Sequence, residues 1–547
     1  MSLVVPTALG TALALRVPEI ANKLGLPPSA FAYLRQFKPW MAPVVYMIYL
    51  LLKYPNYAIG SQPISGRKIP GPRGLPIIGN LWRALSSRDR SLDAIMENWR
   101  LYGPVMTFTF PFAPRIITIN EVELVEHVLK TNFQNYVKGP RSHTILLPLL
   151  GEGIFNTNGE PWKIQRKTAS HIFNVKVFRE LVTGVFREES AEVAAILDKV
   201  ADTGEDINLS DLFFRFTLDT FGLLSFGTSF QCLERPHDPV PFAVAFDYVQ
   251  TQLDLRFSDS FYPIREFLTG ARWKINNAVK LMDEFAYKII EERRKIVSEG
   301  TSSHRKKDLL DLFLEYRSEN GEGLSDKELR DVVLNFIIAG RDTTAQQLSW
   351  QYLIMMQRPD IQKKVREEIM KVGPDSINYD SLRTMHYSLS VFNESLRLYP
   401  PVPKNAKFAV EDDVLPNGIK VKAGELVAFS TYAMGRSEKI WGKDASEFNP
   451  ERWLERDENQ EITGVKKEST FKFSSFNAGP RLCLGQTFAT LESLLLTSQL
   501  LSKYEFELSP RFIEQEKNAK EPLYGTSLTL PMRRPLWVRV RRLQSKN

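Results

Sequence analysis

Cysteine is nearly absent: the chain has 547 residues and two thiols, Cys232 and Cys483. That excludes a disulfide framework and points to reduced thiols on the cytosolic side of a membrane. Histidine is almost as scarce, with six residues, of which the nearest pair in sequence is His127 and His143. No H-E-x-x-H pair exists, and with so few thiols no four-ligand zinc site can be assembled. Phosphate and dinucleotide loops are missing too. Gly151-Glu152-Gly153 meets Asn156 and Gly321-Glu322-Gly323 meets Asp326 where a third glycine belongs, while the stretch from Gly66 to Gly71 runs into Pro72 instead of lysine. There is no internal repeat and no long block of one charge, apart from the terminal cluster Arg533, Arg534, Arg539, Arg541, Arg542 and Lys546. The balance of 71 basic and 64 acidic residues leaves a net charge of +7. This mild basicity suits a solvated surface, acidic partners or lipid head groups, and without a nucleic-acid motif it gives no reason to expect DNA or RNA.

What is present is ordinary globular material, 43% hydrophobic and 25% charged, enough to bury a large core. At roughly 150 residues per domain the length predicts three or four domains, yet only one good linker occurs, Pro70-Gly71-Pro72-Arg73-Gly74-Leu75-Pro76. Its three prolines fix φ and deny helix. We therefore divide the chain into an N-terminal hydrophobic membrane-anchor region, 1–64, and one folded domain, 65–547, with a proline-rich hinge at 65–76. Met1 to Leu15 and Pro39 to Leu52 carry no charge. The second run is about 21 Å long as a helix, against a hydrocarbon core of about 30 Å, so it dips into a membrane or spans a thin one. Trp40, Tyr46, Tyr49 and Tyr54 suit an interfacial belt, and Lys53, Arg67, Lys68 and Arg73 a cytoplasmic exit. A cleaved signal peptide would need the basic n-region that this start lacks; a buried core helix is the other reading. Helical periodicity dominates the rest, with strand-like segments from Pro104 to Asn120, Lys407 to Ser430 and Leu528 to Val540. The fold class is mainly α with small β-sheets.

Phe476-Asn477-Ala478-Gly479-Pro480-Arg481-Leu482-Cys483-Leu484-Gly485 precedes a helical run from Gln486. A thiolate at a helix start is favoured by backbone N–H groups and the positive helix end. Gly479 and Gly485, lacking Cβ, allow a flat cofactor to approach closely, and Arg481 is available for a carboxylate. One thiolate without a histidine or second cysteine beside it suits an axial position on haem iron better than zinc or an iron–sulfur cluster. Taken alone, such a cysteine is usually an inert buried residue.

Ser325 and Glu328 form a capping box, and an apolar run continues to Arg358-Pro359, predicting a helix of about 32 residues and roughly 48 Å. In its middle stands Ala339-Gly340-Arg341-Asp342-Thr343-Thr344, where a glycine and two backbone-bonding threonines loosen the helix. A widened turn there leaves room for dioxygen, with Thr343 and Asp342 passing protons. The competing reading is a bend packed against neighbours. Gln346 and Gln347, which follow, are placed to line or cap a pocket. Glu394 and Arg397 lie at i, i+3 on a helix stopped by Pro400 and Pro401. Trp162 and Arg166 are one turn apart and can together hold a carboxylate, with Lys163 and Lys167 facing outward as a dock for an acidic partner.

The F-x-x-G-x-R-x-C-x-G string resembles the haem-binding loop of cytochromes P450. The order of motifs from Pro70 to about Arg541 is similar to that family's: proline hinge, W-x-x-x-R, A/G-G-x-D/E-T-T/S, E-x-x-R, P-E-R at Pro450-Glu451-Arg452, and the cysteine loop. Asn132 to Gly139, Gly153 to Asn156, Leu334 to Thr344 and Phe476 to Pro480 further resemble the fungal and plant fatty-acid and n-alkane ω-hydroxylases of the microsomal type. The resemblance implies a triangular-prism fold around a long oxygen-binding helix, in which 65–547 is a haem-binding catalytic domain. It implies haem b, with Cys483 as axial thiolate, and Arg481, Trp162, Arg166, Phe476, Gly479, Gly485, Ala339 and Gly340 around the cofactor. Asp342 and Thr343 are then catalytic, and Glu394, Arg397 and Arg452 brace the cysteine loop. It further implies O2, a hydrophobic small-molecule substrate, NADPH used through a separate flavoprotein reductase, and anchoring in the endoplasmic reticulum membrane facing the cytosol. The expected activity is monooxygenation, by ω-hydroxylation of a long-chain fatty acid or alkane. Rival readings are a xenobiotic, aromatic or secondary-metabolite hydroxylase, a reductase-independent haem-thiolate isomerase or peroxygenase, and a non-catalytic membrane haem-binding protein.

Overall fold

The computed structural model describes residues 58–61, 69–75, 77–171, 173, 183–299, 307–318 and 320–544. They are mainly helical with small sheets. The uncharged runs at 1–15 and 39–52 lie outside the described residues; among the described residues no helix is long and apolar enough to cross a membrane. The elements around the site are α1 (Pro140–Leu150), α2 (Gly159–Ser170), α3 (Thr183–Thr203), α4 (Leu209–Phe226), α5 (Pro241–Ser258), α6 (Tyr262–Leu268), α7 (Ala271–Ser298), α8 (Asp326–Ile337), α9 (Thr343–Gln357), α10 (His386–Leu398) and α11 (Gln486–Lys503).

The long helix exists, in three parts. Ser325 caps α8, its hydroxyl accepting the Glu328 N–H at 3.3 Å while the Glu328 carboxylate accepts the Ser325 N–H at 2.8 Å. After the 12 residues of α8, five residues, Ile338–Asp342, form a π-helical turn, and the 15 residues of α9 follow without a break. Arg358 ends α9 because Pro359 starts the next helix. Trp350 stacks on Tyr399 with ring centroids 4.2 Å apart. Gln346 and Gln347 do not line a pocket. The first donates to the Thr529 hydroxyl at 2.8 Å and accepts the Leu530 N–H at 2.9 Å; the second donates to Gln351 and Ser395. Both amides are buried in the packing, with the Gln347 Oε1 left without a partner.

A five-stranded mixed sheet contains β1 (Val105–Phe108), β2 (Ile116–Ile119), β3 (Tyr136–Val137), β4 (Asn405–Ala409) and β5 (Leu426–Phe429), in the order β1-β2-β5-β4-β3. Only β2 and β5 run parallel. The hinge docks on β1: the Thr107 N–H donates to Pro70 O, and a Cβ on Gly71 would stand 2.3 Å from Thr107 O, so only glycine fits. The strand expected from Leu528 to Val540 is shorter and shifted, Trp537–Arg542, because residues 529 and 530 spend their hydrogen bonds on α9. Four arginines of the terminal basic cluster are paired with acids of the same chain. Arg539 pairs with Asp206, Arg541 with Glu507, Arg542 with Asp198 and Asp202, and Arg534 with Glu516 and Glu521.

Candidate active site

The cysteine loop is two 3-10 turns, Ser474–Phe476 and Gly479–Arg481, closed by the Cys483 N–H donating to Phe476 O at 2.9 Å. Gly479 has φ +61°, and a Cβ there would sit 2.2 Å from Leu129 O, so the glycine is required by a protein neighbour on the loop's outer side. Gly485 meets only Phe173 and the Cys483 sulfur at ordinary contact, 3.8 and 3.9 Å. Phe476 stacks on Phe392 of α10, and the Ser475 hydroxyl donates to Leu396 O at 2.8 Å, so α10 holds the loop from behind. Cys483 is solvent-accessible, yet desolvation is the strongest influence on its thiol and pushes its pKa up; the Gly485 N–H and Arg166 oppose that rise. The sulfur is thus accessible although protein atoms crowd around it.

Behind the loop, Glu394 of α10 receives two bonds from Arg397, both 2.7 Å, and one each from Arg452 Nε (3.0 Å), Trp453 Nε1 (2.8 Å) and the Asn449 N–H (2.8 Å). Arg397 also donates to the carbonyls of Gly435, Ala445 and Glu447. All three charges anticipated from E-x-x-R and P-E-R are thus in one buried cluster.

The π turn separates two faces. Of residues 338–344, Ala339 and Thr343 are half-buried and the others are buried. Gly340 turns the other way: a Cβ would fall 1.9 Å from the Phe221 ring of α4, so its role is close helix packing, with no side toward a cofactor. The Thr217 hydroxyl accompanies this, donating to Arg341 O at 2.9 Å, a carbonyl at the end of the widened turn. The Thr343 hydroxyl donates to Ala339 O at 2.7 Å. Asp342 also turns away, accepting from Gln250 of α5 at 2.6 Å and from Arg341 at 2.8 Å, while Arg341 reaches the exposed Asp247 at 2.7 Å. Burial pushes Asp342 up to about 6 against the pull of Arg341. Asp342 and Thr343 therefore do not share a face.

Trp162 and Arg166 lie on one face of α2. The Arg481 guanidinium covers the Trp162 ring at 4.3 Å and donates to Thr157 O (2.7 Å), Ile154 O (3.2 Å) and Asn158 (3.2 Å), leaving its buried Nε without a partner. Arg166 donates to Leu482 O at 2.7 Å, next to the cysteine. Two lysines complete this corner, and the sequence analysis did not find them. Lys407 of β4 is buried with its pKa pressed well below the ordinary range by desolvation, then by Lys138 and Arg481; Lys138 falls to about 8 and Arg481 to about 10, chiefly through burial. No carboxylate contributes to any of these four sites. The available clue was alternation: in Asn405-Ala406-Lys407-Phe408-Ala409 the inward set includes a lysine. Four crowded cations without acids, one with an orphaned N–H, are a costly arrangement that a dianionic ligand relieves. They fit the two propionates of haem, with Cys483 within the same loop as Arg481.

The site is thus that of a haem-thiolate enzyme, and the chain belongs to the cytochrome P450 family, whose model it matches over residues 69–532. It is 40% identical over 505 residues to cytochrome P450 monooxygenase cyp1 of Mycosarcoma maydis, covering 90% of this chain and 78% of that one. It is 36% identical over 486 residues to cytochrome P450 704B1 of Arabidopsis thaliana (81% and 91%) and 34% over 465 residues to cytochrome P450 94B1 of the same plant (83% and 89%). The chain is a monooxygenase that uses haem, O2, a hydrophobic substrate and electrons supplied from NADPH by a reductase.

Proposed function

We propose that this monooxygenase hydroxylates the ω end of a long-chain fatty acid or alkane, at the endoplasmic reticulum membrane with domain 65–547 toward the cytosol. The observation that carries the reading is the accessible Cys483 thiol on the loop, together with Ala339 and Thr343, which stay only partly buried at the π turn of the long helix. The fatty-acid hydroxylase-like stretches around Asn132 and Gly153 support the substrate, and the fungal and plant relatives agree with that branch. For the membrane, Ile264, Phe267, Leu268 and Trp273 on α6 and α7, with Trp82 and Leu85 on a helix touching α5, are well exposed apolar side chains. Phe112, whose N–H donates to Ile59 O, packs on Phe261 at the edge of this patch.

In this account Cys483 would hold the haem through its thiolate, and the bound group would supply the activation of O2. Trp162, Arg166, Arg481, Lys138 and Lys407 hold the propionates. The Thr343 proton is committed to Ala339 O, so the oxygen lone pairs are free to accept, and the hydroxyl donates into the site when it swings off that carbonyl. Asp342, its carboxyl raised to about 6 by burial, stands on the side of the π turn away from Thr343, bonded to Gln250 and Arg341. The Asp342–Arg341–Asp247 chain ties it to the surface. A full-length preparation with an NADPH-flavoprotein reductase should convert hexadecanoate to its ω-hydroxy acid by mass spectrometry; subterminal products alone, or turnover without the reductase, would contradict the proposal. Thr343→Ala should keep NADPH consumption while lowering product per NADPH roughly tenfold or more.

A further inference from the structure

Arg141 stands in the first turn of α1, partly buried, with Nη2 donating to Arg256 O at 3.2 Å in the last turn of α5. Each other cation in this corner has an acid. Arg256 grips Glu266 through two bonds, 2.8 and 2.9 Å, Arg265 meets Asp259 at 2.6 Å, and Lys404 meets Asp254 at 3.0 Å. Arg141 pairs with no carboxylate among the described residues. Burial is the main influence on it and pulls its pKa down, only partly offset by Tyr262 and Asp259. A half-desolvated guanidinium without a directly paired carboxylate is the arrangement that a ligand carboxylate relieves best, since the planar fork donates to both oxygens.

Its place in the fold relates this cation to the catalytic end. From Pro140 to Leu150 α1 extends about 15 Å. At the far end Gly153 abuts Asn335, and the Phe155 N–H donates to the Asn335 side chain at 3.2 Å, one turn before Ala339 on the long helix. Leu147 in α1 and Phe155 beyond it leave apolar surface accessible. At the near end the Arg256 guanidinium lies over Tyr262, and Phe261 packs on Phe112 at the apolar surface patch. Arg141 thus stands at one end of α1, and the chain beyond its other end, with the partly exposed Leu147 and Phe155, meets the long helix one turn before Ala339. We propose that Arg141 is a specificity-determining residue that binds the carboxylate of the substrate, so that the acyl chain extends along α1 and its opposite end reaches Ala339 and Thr343. This rests on the fatty-acid reading above and accounts for oxidation at the end remote from the acid.

The test compares hexadecanoate with methyl hexadecanoate, which has the same chain without the charge, by titrating the substrate-induced Soret shift of the haem-loaded full chain. The parent should favour the acid, and Arg141→Gln should reduce the acid-over-ester preference by about 10–100-fold. Arg141→Lys should recover part of it, and raised ionic strength should erode the parent's preference but not that of Arg141→Gln. An unaltered carbon-monoxide spectrum certifies that the variants are folded. Equal weakening of acid and ester in the variants, or an unchanged preference, would overturn the assignment of Arg141. A parent that binds neither compound would instead overturn the fatty-acid reading, so the two failures are distinguishable.

Discussion

Lys407 is the residue whose situation most needs explaining, because a nearly fully buried ammonium flanked by two other cations opposes folding unless something anionic joins it. Replacing it with methionine should raise the thermal midpoint of the haem-free chain and speed haem loss several-fold, measured by transfer to excess apomyoglobin; slower or unchanged haem loss would remove the lysine from the cofactor site. Glu492 presents the opposite charge in a like setting. It is fully buried in α11, accepts from Thr220 of α4 at 2.6 Å, lies beside Thr344, and burial pushes its pKa from 4.5 up to about 8. Between those values the folded chain retains a proton that the unfolded chain has released, so this group lowers stability progressively as pH rises from about 4.5 to about 8 and no further above that. Glu492→Gln should therefore melt higher than the parent at pH 8 and converge with it near pH 5. A constant offset across that range would contradict the assignment. Neither residue was legible beforehand: a lysine in a short strand and a glutamate in a helix become informative only when their neighbours are known.

Among elements, the long helix was the most legible, since Ser325, Glu328 and Pro359 mark its ends and apolar side chains fill the interval. The loosened turn was legible from Gly340, Thr343 and Thr344. Its facing was not, because a π turn rotates the following residues by an amount that periodicity does not state. Asp342, anticipated beside Thr343, consequently bonds Gln250 and Arg341, and Gly340 serves contact with Phe221. Gly340→Val should disturb α4 against the helix and lower the thermal midpoint, with partial recovery on adding Phe221→Ala; no recovery would mean that the contact is not the cause. At α10, Glu394→Gln retains shape but leaves two buried guanidiniums short of an anion. A loss of about 3–5 kcal/mol is expected, read as a lower thermal midpoint together with poor haem incorporation. An undiminished midpoint would show that the cluster contributes nothing to holding the cysteine loop.

At the scale of the whole molecule, the sequence carried the fold class because its signals are local: caps, prolines and one fixed-spacing loop. It misjudged features that depend on distant partners. The terminal arginines are neutralised by Asp198, Asp202, Asp206 and Glu507, and Gln346 and Gln347 are occupied by Thr529, Leu530, Gln351 and Ser395. The account as a whole depends on one atom, the Cys483 sulfur, and one measurement addresses it: the reduced, carbon-monoxide-bound absorption spectrum of the purified parent beside Cys483→Ala. A strongly red-shifted Soret band in the parent that disappears in the variant is the predicted result. A band that persists without Cys483, or no haem band in a folded parent, would contradict it.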